Sequence, residues 1–179
     1  MTRAGTDVER ACAELQNLLD AEPTNGVRAA EALLAVLEAG GADKLEESAI
    51  RATVELLGQI GRTAQRQLSE VLQPLARMRA DCRATLESAL HSPQAPLRWG
   101  AAYTLGHACG VSADLAEAIF EMLGDEDGDS RWAAAELACE LARSDAGELL
   151  GSPSLEASYN ALDLRDRSLS NGIGACLTG

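Results

Sequence analysis

Asp125, Asp127 and Asp129, with Glu136 eleven residues after the first of them, have the spacing of a calcium-binding loop. That chemistry needs a glycine at the sixth position to turn the chain, and Ser130 stands there. The loop would also run into the apparent helix from Trp132 to Ala138. The corresponding turn one repeat earlier offers Ser92, Gln94 and Pro96, none of them a carboxylate. Acidic residues at a helix N-terminus complement its dipole and explain the aspartates without a metal. His107 and Cys109 are the next residues with chemistry to offer. Two positions apart on a helix, they point about 200° away from each other and do not share a ligand. His91 belongs to a turn, and no four zinc ligands converge in the sequence. No metal, cofactor or catalytic set is expected, and the cysteines read as small core residues.

Recognition is better served than catalysis. Aromatics make up only 3% of the chain, yet Trp99 and Trp132 sit at equivalent places in a repeat, with Tyr103 one helical turn after Trp99. Recurrence in a repeat favours packing between units. Exposed, the same rings would form the best partner surface, since tryptophan is a frequent hot spot. Arg98 and Arg131 precede the two tryptophans. The favoured role for each is to tie its turn to the next unit, with Asp125 or Asp127 as a partner for Arg131; the other role is a charged binding surface. Trp99, Tyr103, Trp132, Arg98 and Arg131 together are the candidate partner surface. Residues 114–129 hold seven acids and no base. Such a run is ordinarily a solvated face, and it would also suit docking of a basic partner protein.

The elements that position these residues are helices. "LESALHSPQAPLRWGAAYTL" begins at Leu86 and "IFEMLGDEDGDSRWAAAELA" at Ile119, an offset of 119 − 86 = 33 residues. Leu90 maps to Leu123, Arg98 to Arg131, Trp99 to Trp132 and Ala101-Ala102 to Ala134-Ala135. A period of this length is one helical hairpin, whose apolar face needs stacked neighbours to be buried. A weaker copy, "AIRATVELLGQIG" from Ala49, aligns with "LRWGAAYTLGHAC" from Leu97 at an offset of 97 − 49 = 48. The surplus of 48 − 33 = 15 residues is about one helix, and the region of Pro74 could hold it.

Punctuation marks the helix ends. Thr6-Asp7-Val8-Glu9 has the form of a capping box, followed by an apolar stripe of Val8, Cys12, Leu15 and Leu19. A second helix runs from Asn25 to Ala39 and stops at Gly40-Gly41. Asp43-Lys44-Leu45-Glu46 repeats the capping pattern before a helix with Ile50, Val54 and Leu57. A break or kink is expected near Gln73, ahead of Pro74, and Asp81 is a candidate cap for a separate helix from Cys82 to Leu90. Ser112 starts a helix after Gly110, and Ser152-Pro153 another after Gly151.

Composition agrees. Hydrophobic residues are 46% of 179, with 33 alanines and abundant leucine, so the core is aliphatic and helical. The net charge of −13, with Lys44 the only lysine, disfavours nucleic-acid binding and a helical-repeat DNA glycosylase with it. No stretch approaches a membrane span and no signal peptide opens the chain. Five cysteines, an odd number without a CxxC, argue against a disulfide framework and for a reducing cytoplasm.

"LGDEDGDSRWAAAELACELA", from Leu123 to Ala142, resembles the short HEAT-like repeats of phycobilin lyase subunits: an acidic turn, an arginine, then alanine pairs and a leucine, here Asp125, Asp127, Arg131, Ala134, Ala135 and Leu137. The unit before it has Arg98, Ala101, Ala102, Leu105 and Gly106 but no acids in its turn. The resemblance covers about residues 45–165. It implies an all-α fold, a right-handed α-solenoid of antiparallel helix pairs of the HEAT/armadillo-like kind, with capping helices at 1–44, the array at 45–165 and a tail at 166–179. The repeat, the acidity and the absent catalytic set point to a non-enzymatic interaction or scaffold module. The alternative is a bilin lyase-like or chaperone-like subunit that binds a tetrapyrrole or its acceptor protein. Hydroxylase relatives use His-Glu pairs, and this chain has no His-Glu dipeptide.

Overall fold

The structure, a computed structural model, describes residues 3–21, 25–126 and 128–142. Every regular element among them is helical: α1 (Arg3–Leu19), α2 (Gly26–Glu38), a 3-10 turn (Ala42–Lys44), α3 (Glu47–Leu56), α4 (Arg62–Met78), α5 (Ala80–Ala89), α6 (Ala95–Cys109), α7 (Ala113–Leu123) and α8 (Gly128–Ala142). None is long and apolar enough to cross a membrane. The expected helix at Ser152-Pro153, and the tail, lie outside the described residues. The chain divides into two compact units, residues 1–104 and 105–179.

Several ends are set by the residues that the sequence singled out. The Asn25 side chain accepts from the N–H groups of Val27 and Arg28 and caps α2. Gly40, with φ +74°, stops that helix in the left-handed region that glycine tolerates. The Ser112 hydroxyl caps α7 through the Leu115 N–H at 3.2 Å, just after Gly110 at φ +81°.

Other ends differ. α1 starts at Arg3, so Thr6 lies within the helix rather than at its cap. Asp43 falls in the 3-10 turn, and α3 begins at Glu47 behind Glu46, which makes no side-chain cap. An arginine from further along the chain organises this junction instead. Arg79 Nη1 donates to the carbonyls of Ala42 (2.7 Å) and Leu45 (3.1 Å). Arg79 also occupies the N-cap position of α5, and Asp81 sits inside the first turn. The Asp81 carboxylate accepts from the Cys82 N–H at 2.9 Å and grips the Arg79 guanidinium with both oxygens.

The Arg79 hydrogen bonds hold the Asp81 carboxyl below the usual carboxylate range, with the Cys82 N–H adding to the effect. A lowered folded-state pKa gives stability that is present above the unfolded value, about 3.9, and lost as the pH falls through the folded value. Asp81→Asn therefore costs about 1 kcal/mol at pH 7, and the gap between variant and parent begins to close as the pH falls below about 4. Urea unfolding at several pH values measures this; a gap that persists at pH 2 contradicts it.

α4 runs through Pro74 without the break that the sequence suggested. Proline there removes one backbone bond. The helix is held on both sides of it by a stripe at helical spacing: Gln65, Leu68, Ser69, Leu72, Leu75 and Ala76 are all buried, while Pro74 faces out. In the first unit α1 packs on α2 and α3, α2 on α4, and α5 on α3 and α4. Its core is aliphatic: Leu15, Leu33, Ile50, Leu57, Leu68, Leu72 and Leu86 are fully buried. In the second unit α7 packs on α8, burying Leu115, Ile119, Leu123, Ala134, Leu137 and Leu141.

The 33-residue offset recurs in the element bounds. Adding it to Ala80, Ala95 and Cys109 gives Ala113, Gly128 and Ala142, which are the starts of α7 and α8 and the end of α8. The 48-residue offset takes the start of α3 at Glu47 to the start of α6 at Ala95. Two helices, α4 and α5, lie between α3 and α6, and one, α7, lies between α6 and α8. The surplus helix is α4, the one that contains Pro74.

Candidate interaction surface

The two arginines of the repeat do the same thing at the atomic level. Arg98 Nη1 donates to the carbonyls of Ser92 (2.8 Å) and Pro93 (3.2 Å). Arg131 Nη1 donates to those of Asp125 (2.8 Å) and Glu126 (2.9 Å). Ser92 and Pro93 plus 33 are Asp125 and Glu126, so each guanidinium closes its own turn through the same two carbonyls. Each arginine thus ties to its own turn through backbone oxygens. The Asp127 and Asp129 side chains lie outside the description. Arg98→Met and Arg131→Met, which keep the aliphatic stem, should each cost about 1–2 kcal/mol. Denaturant unfolding of both variants checks this, and a loss at only one position contradicts a shared device.

The tryptophans do not share a fate. Trp99 is 8% exposed and Tyr103 6%. Their rings stack at 5.1 Å with 26° between planes. α4 lays two arginines along this pair, Arg62 5.4 Å from the Trp99 ring centre and Arg66 5.1 Å from that of Tyr103. Arg66 Nε also donates to the Tyr103 hydroxyl at 3.2 Å. Cations over ring faces at these distances are attracted by the ring quadrupole. Trp132 is 46% exposed on α8. Of the five candidate residues, the structure brings Trp99 and Tyr103 together under α4, sets Arg98 and Arg131 to work in their turns, and leaves the Trp132 ring facing solvent.

Comparison with known proteins finds no counterpart. No family model, curated protein or solved structure matches the chain.

The difference between the tryptophans traces to the surplus helix. α4 lies between α3 and α5 and supplies the arginines that cover Trp99. At the corresponding place, between α6 and α7, the chain has only residues 110–112. The residue before each tryptophan's alanine pair reflects this. Gly100 lies under α4, where an added Cβ would stand 3.1 Å from Leu57 Cβ and 3.2 Å from Gln65 Nε2; its counterpart in the second copy is Ala133. Gln65, 3% exposed, was missed in the sequence. Its amide donates to the carbonyls of Leu57 (2.7 Å) and Pro96 (2.6 Å), joining the end of α3 to the start of α6. A glutamine within a polar stretch carries no signal of such a role.

Other groups with chemistry lie apart. A groove of about 570 Å³ between α3 and α5 is lined by Glu47, Arg51, Asp81 and Thr85 together with apolar Val54 and Leu97. Arg51 pairs with Glu47 at 2.9 Å on its rim, an exposed i,i+4 contact. His107 Nε2 lies 3.5 Å from a Glu140 carboxylate oxygen. Among the described residues no three His, Cys, Asp or Glu side chains are grouped to hold a metal ion. Cys12, Cys82 and Cys109 are not disulfide-bonded, and burial pushes the Cys12 thiol up. Cys139 is disulfide-bonded.

Proposed function

We propose that this chain is a non-enzymatic protein-interaction or scaffold module, built as a right-handed solenoid of HEAT-like helix pairs, that docks another protein through the exposed side of α8. The observation that carries the reading is the unequal exposure of equivalent tryptophans. A ring that the first copy buries under its own arginines stands open in the second, beside acidic residues that steer a basic protein towards it. The repeated arginine-closed turns support the solenoid part, since stacked copies of one hairpin need a constant turn geometry.

Affinity capture tests it, with the wild-type chain and Trp132→Ala as paired baits. Proteins retained by the wild type, released by salt and absent from the variant are expected. Retention that is identical on both baits, or absent from both, overturns the reading.

A further inference from the structure

The first copy shows what a tryptophan at this position of the repeat accepts. Arg62 lies over Trp99 at 5.4 Å, and a second arginine continues the row over Tyr103. Nothing between α6 and α7 is long enough to bring an arginine to the second copy. Trp132 remains 46% exposed. Glu136, one turn further along α8, is exposed as well. Residues 105–142 carry nine acidic side chains and a single arginine, Arg131, which is engaged by its own turn.

We propose that Trp132 receives an arginine side chain from a basic partner protein, its guanidinium lying over the indole as that of Arg62 lies over Trp99, with Glu136 pairing its remaining N–H donors. This rests on the interaction-module reading above and names the chemistry of the partner. Arginine fits better than lysine. Its planar, weakly hydrated guanidinium stacks on a ring face while still presenting donors in a fork at its edge. Lysine brings the same charge as a compact, strongly hydrated point. A second copy of this chain is a poor occupant, because at −13 each two acidic surfaces repel. The acidic surroundings raise the encounter rate with any cation, whereas the ring is what selects the guanidinium.

The test uses the full chain and two synthetic peptides of equal length and charge, one rich in arginine and one in lysine. The two indole N–H signals are followed by NMR and assigned with Trp132→Phe. The arginine peptide should bind about three- to tenfold tighter than the lysine peptide and should shift the Trp132 signal while leaving that of Trp99 in place. Trp132→Ala, a change at an exposed ring that leaves the core untouched, should abolish the preference. Glu136→Gln should weaken the arginine peptide more than the lysine peptide, since the stacked guanidinium presents two donors side by side in its plane, a fork that an ammonium does not offer a carboxylate. Equal affinity for the two peptides overturns the inference. So does a preference that survives Trp132→Ala. Should both peptides bind equally and both require Trp132, the guanidinium claim falls while docking at α8 stands; should neither shift the Trp132 signal, the inference falls, and the paired-bait capture decides the docking reading separately.

Discussion

Gln65→Ala should lower the stability of the first unit by about 3 kcal/mol, since it removes two hydrogen bonds, strands the Leu57 carbonyl at the end of α3 and leaves a gap. The side-chain amide sits between the Leu57 and Pro96 carbonyls at 2.7 and 2.6 Å and has almost no access to water. Water cannot replace the lost donor without opening the contact between α4 and α6. Gln65→Glu separates hydrogen bonding from packing. The two side chains have nearly the same shape, but an ionised carboxylate only accepts, and here it would face two acceptors. It should cost about 3–5 kcal/mol at pH 7. Part of that should return in acid, where the protonated carboxyl can donate to one carbonyl. The sign follows because this environment raises the folded-state pKa of the new group, so the penalty exists above that value and shrinks below it. Loss of a few kcal/mol is a large share of a domain's stability, and thermal and urea unfolding read it directly. A Gln65→Glu chain as stable as the parent at pH 7 contradicts the assignment of the amide.

Gly100→Val should be comparably damaging, at about 3 kcal/mol or more. The position is inside a helix, where replacing glycine ordinarily gains about 1 kcal/mol. Here the gain is outweighed, because Leu57 and Gln65 already stand where the first side-chain carbon would go. A branched side chain pushes α4 off α6 and pulls the Gln65 amide away from its carbonyls. The Gly100 carbonyl also accepts from the Thr104 hydroxyl at 2.8 Å, a bond made within α6 that survives the substitution. The counterpart experiment is Ala133→Gly. Ala133 is 1% exposed, so the change should cost about 1 kcal/mol for glycine in a helix and about 1 kcal/mol more for the buried methyl, without the steric clash that Gly100→Val meets. Equal costs for the two substitutions would contradict the role given to α4.

Both results depend on a helix whose continuity the sequence hides. Pro74 is a strong local signal, and local signals favour a break there. The burial of Leu68 and Leu72 before it, and of Leu75 and Ala76 after it, keeps the helix whole. Such a contest between one missing backbone bond and a long apolar stripe is decided in three dimensions. The failed caps have a similar cause. Thr6 and Asp43 match the pattern of a helix start, but the pattern says nothing of Arg79, which reaches back 37 and 34 positions to hold the Ala42 and Leu45 carbonyls. Where the determinant is local the reading holds: Asn25 and Ser112 cap their helices with their own side chains. The 33-residue offset was legible because the repeat is written in residue types, with leucine, arginine, tryptophan and alanine pairs in register. The opposite environments of Trp99 and Trp132 were not. Identical residues at equivalent positions differ by a helix that lies 21 to 37 residues before Trp99, at Arg62–Met78, and no short window around either tryptophan contains it.

The most direct measurement is acrylamide quenching of tryptophan fluorescence in two single-tryptophan chains, Trp132→Phe and Trp99→Phe. With Trp99 alone, stacked on Tyr103 and covered by Arg62, emission should resist the quencher; with Trp132 alone, it should be quenched readily. Equal quenching in the two folded chains would mean that the second copy covers its ring as the first does, leaving α8 without the open indole on which the docking surface is built.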